Sequence, residues 1–359
     1  MKSLRILDKD INLLGEIDNY EEFKINRRFY SLSEFELKIK ANKLHTDKLI
    51  KNNLIVIGKD YQNVGIILHR EFNGLEKKSD ELIIKGVTLK GLINRRLIIP
   101  DVGNDYDSYN GNQETIMKYF VNKNCVNPIN ASRKIDRLII SEDKLRGSND
   151  GWRSSYDNLS DKIKEIGEYC ELGWNVVLNP SDKNFIFDVI KGKDLTINQN
   201  INPPVIFRSD FNNISNRHYL ESIINSKNIV YAGTKEDSSK IVLSEGESSG
   251  FERMEVFASV TYDDIDEIRK EAQLKLKEYE EIKSFELEVN PSSTFIYKKD
   301  YDLGDKVTIQ DKNLKVTMDS QIVEVEELHN KNGTSLKITF GSSIPNILTK
   351  IKCIEKKVI

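Results

Sequence analysis

The chain has 359 residues, 38% of them hydrophobic and 31% charged, and its 54 basic and 57 acidic side chains leave a formal net charge of −3. That length exceeds one simple core and suits roughly two to four compact domains, while the composition excludes a disordered chain. Acidic and basic residues are interspersed, so no segment has the basic excess that displaces counterions from phosphate, which argues against nucleic-acid recognition.

The opening Met1-Lys2-Ser3-Leu4-Arg5-Ile6-Leu7-Asp8 lacks the apolar core and cleavage site of a secretory signal, so synthesis in the cytoplasm is expected. No window approaches the roughly 20 apolar residues that cross a bilayer, and no stable membrane insertion is expected. Residues 1–97 read as short strands separated by turns, the pattern of a small β-barrel or sandwich. Within them, Val64-Gly65-Ile66-Ile67-Leu68 and Glu81-Leu82-Ile83-Ile84-Lys85 flank Asn73-Gly74 and predict a hairpin with a long loop. Leu89, Leu92 and Ile93 share one short helical face, and Pro100 closes the module.

Residues 98–205 form an α+β insert. Gln113 to Phe120 predicts a helix, as does Tyr156 to Glu171, where Leu159, Ile163, Ile166 and Cys170 recur at helical spacing. Trp174 to Leu178 and Phe185 to Ile190 predict strands joined by the turn Asn179-Pro180-Ser181-Asp182-Lys183-Asn184. Residues 206–262 form a β-rich connecting domain, with strands over Asn228 to Ala232 and Lys240 to Leu243 and a polar turn from Ser244 to Gly250. Residues 263–345 carry a helix and then a second β module. The helix, Asp263 to Ile282, has the apolar stripe Ile265, Ile268, Ala272, Leu276 and Tyr279, and Asp263 or Asp264 is placed to cap it. Residues 346–359 are a lysine-bearing C-terminal tail, mobile or ordered by a partner. The fold class expected is therefore α+β and multidomain, two small β-barrel or sandwich modules flanking an α+β middle.

The second module repeats the first in order. Phe35-Glu36-Leu37-Lys38-Ile39 matches Phe285-Glu286-Leu287-Glu288-Val289, and Ile50 to Val56 matches Leu303 to Ile309. Gly65 to Leu68 then matches Gln321 to Glu324, and Glu81 to Ile84 matches Ser335 to Ile338. The offset is 285 − 35 = 250 at the first match and 336 − 82 = 254 at the last. Two copies of one module in a single chain suit a subunit that imitates a ring of identical parts better than an enzyme with one active site.

No catalytic, cofactor-binding or metal residue is nominated, and no cofactor is expected. Cys125, Cys170 and Cys353 lie outside CxxC spacing and read as reduced structural thiols. His45, His69, His218 and His329 fall in neither HExxH nor HxH spacing. Nucleophile elbow, phosphate loop and dinucleotide fingerprint are all missing. The acidic run Asp263-Asp264-Ile265-Asp266-Glu267 reads as charge complementing a helix dipole rather than as a paired-carboxylate site. Trp152 and Trp174 read as core anchors rather than sugar platforms. Arg27-Arg28, before Phe29-Tyr30, is an amphipathic strand entry whose charges face solvent by default or else an acidic partner.

The order of these pieces resembles the tail-hub proteins of long-tailed phages of Gram-positive bacteria, a family that includes minor tail proteins and the N-terminal parts of tail-associated lysins. The segments that carry the resemblance are Ile6 to Asp8 through Gly15 to Tyr20, Arg27 to Tyr30 with Glu34 to Leu37, Val64 to Ile67, Lys85 to Leu89 and Leu92 to Pro100. Tyr169 to Leu178, Asn202 to Phe207 and Ser249 to Phe257 continue it over nearly the whole chain. The resemblance implies two tube-like β modules per chain and a virion protein of the tail tip or baseplate. It also implies a homotrimer adapting a six-fold tail tube to a three-fold tip, with distal tail protein, tail tube, tape-measure protein and a tip or spike protein as partners. Some relatives continue into wall-degrading domains, and the end of this sequence just after the second module argues against a lytic role. A structural, non-enzymatic hub is the reading favoured over a tail-associated cell-wall hydrolase or a carbohydrate-binding receptor protein of the tip.

Overall fold

The computed structural model describes residues 2–74, 80–234, 243–260, 264–290 and 293–341. They fall into two compact units, residues 2–216 with Leu287–Thr339, and Arg217–Glu286 with Phe340 and Gly341.

The first unit opens with β1 (Leu4–Leu7), β2 (Leu13–Ile17), β3 (Glu22–Arg28), β4 (Glu34–Lys40), β5 (Leu54–Ile57), β6 (Gly65–Asn73) and β7 (Glu81–Thr88). In β4, Phe35, Leu37 and Ile39 are buried and the charged residues between them are not, which is the alternation of a half-buried strand. The inward residues of β3 and β4 join Leu4, Ile6, Leu82 and Ile84 in one core. Each such side chain contributes about 1.5–3 kcal/mol on burial. A surface pair such as Lys38–Glu22 adds at most about 1 kcal/mol, so the core sets the register.

These strands run β3-β4-β7-β6-β5-β1-β2, every neighbour antiparallel. The predicted hairpin is β6–β7, with Gly65 opposite Thr88, Asn73 opposite Glu81 and a bulge between Ile67 and His69. Two glycines make room for Phe35. A Cβ on Gly86 would stand 1.9 Å from the Ile66 carbonyl oxygen and 2.7 Å from the Phe35 ring, and one on Gly65 would stand 2.5 Å from that ring. The predicted short helix is a 3₁₀ helix, Leu89–Arg95, burying Leu89 and Ile93.

The insert contains β8 (Asp107–Asn112), α1 (Gln113–Val121), β9 (Leu138–Ile140), β10 (Asn149–Ser154), α2 (Leu159–Cys170), β11 (Gly173–Asn179) and β12 (Asn184–Ile190). Asn158 caps α2 by accepting from the backbone N–H groups of Ser160 at 2.9 Å and Asp161 at 3.3 Å. Both predicted helices and the β11–β12 hairpin form where the periodicity places them, with Trp174 opposite Val189. β13 (Asp194–Leu195) and β14 (Ile206–Arg208) follow.

The second unit is entered along β15 (Ile214–Ser222) and left along β19 (Ile282–Val289). Between them lie β16 (Ile229–Gly233), β17 (Leu243–Glu245), β18 (Glu255–Ser259) and α3 (Ile265–Glu278). Residues 240–242 of the predicted strand lie outside the described residues. Ile268 and Ala272 of α3 are buried against Val230, Ala232 and Ala258 of the β17-β16-β18 sheet, with Leu276 packed beside them. The stripe is thus a genuine contact face, although Ile265 in the first turn is 46% exposed.

The chain ends its described course with β20 (Lys306–Asp311), β21 (Val316–Asn330) and β22 (Gly333–Gly341). Three of the four repeated segments fall on strands and the other runs into one, and the strand order is the same in both copies: β4-β7-β6-β5 in the first and β19-β22-β21-β20 in the second. One shared sheet takes the place of the two separate barrel or sandwich modules expected. β21 pairs with β3 from Glu324 opposite Arg28 to Asn330 opposite Glu22, so the copies share one large, mostly antiparallel sheet, and no barrel closes among the described residues. The fold is α+β and mostly strand. The tail, 346–359, lies outside the described residues.

Replacing Ile268, 5% exposed, by Asp would bury an unpaired carboxylate. Ile268→Asp is expected to cost on the order of 4 kcal/mol and to lower the melting temperature or abolish soluble expression. An unchanged thermal melt would contradict the packing of α3.

Candidate functional site

The seam between the repeated halves is charged. β3 brings in Arg27, which is 5% exposed because it alternates with Phe23 and Ile25 on the core face. Its Nε donates to Asn63 Oδ1 at 2.8 Å, and its Nη1 donates to the Tyr297 hydroxyl and stands 3.4 Å from Asp302 and 4.0 Å from Glu327. Glu327 comes from β21, where it alternates with Val325 and His329 on the buried face. Lys298 links it to β5's neighbouring loop, lying 3.3 Å from Glu327 and 2.7 Å from Asp60. One residue on, Arg28 pairs with Glu324 at 3.1 Å and with Glu34 at 3.3 Å.

Around this cluster the backbone is held by close packing and by one buried lysine. Phe29, 2% exposed, lies against Gly173 and Gly304, where a Cβ would stand 2.3 Å and 2.2 Å from its ring; Gly304 also has φ +96, a conformation few L-residues adopt. Lys90 donates to the carbonyl oxygens of Arg28 at 2.7 Å, Phe29 at 3.2 Å and Ser31 at 2.9 Å, with its ammonium over the Trp174 ring. Burial, with Arg27 and Arg28 as like-charged neighbours, holds the Lys90 pKa well below its usual range.

Each carboxylate of the cluster is met by a cation or donor, and this is the arrangement of a structural joint. Among the described residues no group of three or more His, Cys, Asp or Glu is placed to hold a metal ion. A pocket of about 260 Å³ beside β1 is lined by Arg5, Leu7, Tyr61 and Pro180, and its one carboxylate, Glu16, lies 3.7 Å from Arg5. It is smaller than the ~300–1,000 Å³ usual for ligand sites and has no acid pair.

The other residues singled out in the sequence are scattered. His45 is in a left-handed turn, His69 is exposed on β6 and His218 is exposed on β15. His329 alone is buried, 2.8 Å from the Thr334 hydroxyl and 3.5 Å from Glu327. Trp152 and Trp174 are core anchors whose indole N–H groups donate to Asp150 at 2.9 Å and the Tyr30 carbonyl at 2.6 Å. Cys125 is buried and its thiol pushed up to about 12 by burial, so it is inert, while Cys353 lies outside the described residues. Asp264 caps α3 through the N–H groups of Asp266 at 2.8 Å and Glu267 at 3.3 Å; Asp263 lies outside the described residues. Solvent exposure of Arg27 and Arg28 is corrected: both are tied into the seam.

Among the open strand edges of the large sheet, those of β6 and β15 fall at matching places in the two copies. Asn52 and Asn53 cover β6 as far as Ile67; beyond the bulge, Leu68–Asn73 pair, among the described residues, only with β7. β15 has β19 on one side and, among the described residues, no strand on the other.

This is the fold of solved tail proteins. The chain is similar to the tail protein from Neisseria meningitidis MC58 (13% identity, TM-score 0.59, covering 96% of this chain and 97% of that one). It is also similar to the 43 kDa tail protein of prophage MuSo2 from Shewanella oneidensis (10%, 0.61, 95% and 98%). A third similar structure is prophage tail protein gp18 from Listeria monocytogenes EGD-e (13%, 0.56, 99% and 99%). The chain belongs to the Siphovirus ReqiPepy6 Gp37-like protein family, whose profile matches residues 3–342. No curated protein sequence matches it. Among the described residues no helix is long and apolar enough to cross a membrane.

The seam also sets acid stability. Burial raises the Glu327 carboxyl, but His329, Lys298 and Arg27 outweigh it and lower the pKa from 4.5 to about 2. A carboxylate with a depressed folded pKa stabilises above its unfolded value, and that contribution is lost as pH falls from about 4.5 towards about 2. Glu327→Gln should therefore cost about 3 kcal/mol at pH 7, by leaving Arg27 short of an anion, and flatten the acid branch of the stability curve. Urea titrations between pH 7 and pH 3 measure both, and parallel acid branches for the two proteins would contradict the assignment.

Proposed function

We propose that the chain is a structural tail-hub subunit of a phage or phage-derived particle, and not an enzyme. In this reading three copies close into a ring of six tube-like β modules, six-fold towards the tail tube and three-fold towards the tip or spike. Distal tail protein and tape-measure protein are its further partners, and it resides in the virion at the tail tip. The observation that carries the reading is the repeated strand order, β4-β7-β6-β5 and β19-β22-β21-β20. Two alike but non-identical modules per chain occupy equivalent places only in an assembly with twice as many modules as chains. Family membership and a fold shared with tail proteins over nearly their full length support the same reading.

A hydrolase or a carbohydrate receptor is less well supported. The carboxylates of the seam are spent on Arg27, Lys298 and Arg28, and both tryptophans are buried. Purified protein incubated with peptidoglycan is expected to release no soluble fragments, and antibody against it to label one end of intact tails. Saturable release abolished by a single carboxylate or histidine substitution, or label spread along the tube, would overturn the proposal.

A further inference from the structure

The repeat supplies its own template for how copies join. Within one chain, β21 is covered along the same edge by two strands: β20 lies against its first half, Val316–Gln321, and β3 against its second half, Glu324–Asn330. Its counterpart β6 has β5 and the preceding asparagines against its first half and, among the described residues, nothing against its second. β3 flanks β4, and its counterpart flanking β19 is β15, whose outer edge is open among the described residues. The missing cover for β6 thus has the identity of β15, and β15 lacks the neighbour that β6 would be.

We infer that the second half of β6, Leu68–Asn73, pairs antiparallel with β15 of a second copy of this chain, repeating between chains the β21–β3 pairing seen within one. The inference rests on the proposed ring and specifies its joint. The edges carry what such a joint needs. Leu68 is 44% and Phe72 60% exposed on β6, and Ile223 and Ile224, immediately after β15, are 57% and 89% exposed. An edge strand with exposed apolar side chains is a template for further pairing.

Register follows from the same template. Ile25 of β3 stands opposite Phe35 on one side and Glu327 on the other. Phe285 matches Phe35, and Tyr219 packs on Phe285 with ring centroids 5.7 Å apart, so Tyr219 takes the place of Ile25. The core-facing residues in the second half of β21 are Val325, Glu327 and His329. Those of β6 are Arg70 and Phe72, which oppose buried Ile84 and Leu82. Matching the first of each sets Phe72 in the place of Glu327 and Arg70 in that of Val325. Phe72 then faces Tyr219 of the next copy, an aromatic cross-strand pair, and Arg70 faces Glu221, an opposite-charge pair. Between chains the aromatic pair and this ion pair replace the buried charges of the seam.

The test uses assembled tails. Phe72→Cys with Tyr219→Cys in one chain, under mild oxidation, is expected to give a disulfide ladder ending at a covalent trimer, with neither single variant giving it above the background of the native thiols. Arg70→Glu should lower the crosslinked fraction at least threefold, and adding Glu221→Arg should restore it; unchanged thermal melts of these surface variants exclude misfolding. Native mass measurement of the same tips is read alongside. Trimers without a 72–219 bridge, or a bridge formed only within one chain, overturn this pairing and leave the ring standing. Absence of both trimer and bridge removes the ring as well.

Discussion

One buried cation, Arg27, holds the two halves of the repeat together, and the rest of the first unit is arranged around it. A guanidinium 5% exposed is tolerated only with good geometry to several acceptors, because its desolvation cost is several kcal/mol. Asn63 and Asp60 come from the first copy, and Tyr297, Asp302 and Glu327 from the second, so the charge is satisfied only when β3 and β21 are side by side. The ion cluster allows one register, and Phe29 seated on Gly173 and Gly304 fixes the next residues of the chain in turn.

That constraint bears directly on assembly. A seam within the chain that is buried, charged and specific forms on folding and does not exchange. The open edges of β6 and β15 are different in kind, being exposed and built of single aromatic, aliphatic and singly charged side chains. Under the proposed ring, strong specific pairing inside each chain with weaker pairing between chains orders the process: each subunit folds complete and then joins others when the particle supplies them. Carboxylates consumed in structural pairing are consistent with a subunit whose task is geometry.

Much of this was legible in the sequence because it depends on local periodicity. The alternation in β4 and β19, the hairpin β6–β7, α1, α2 and the α3 stripe all follow from side-chain spacing, and the repeat followed from that alternation recurring at a near-constant offset. The seam did not follow, since it joins residues almost 300 positions apart, and Arg27-Arg28 read as surface charge. A signal was present. Val325, Glu327 and His329 alternate on one face of β21, and two ionisable residues on a core-facing row call for a buried partner of opposite charge. The joining of both copies into one sheet was also beyond local patterning, because strand sequence gives the inward face but not the neighbour at either edge.

The central claim is that one chain supplies two equivalent places in a ring. Three-dimensional reconstruction of the assembled tail tip, without imposed symmetry, tests it most directly. The account predicts three copies of the chain per ring, with β4-β7-β6-β5 and β19-β22-β21-β20 alternating around the axis at near-equal spacing. A ring of six whole chains, or one in which the two strand sets occupy inequivalent places, would contradict it.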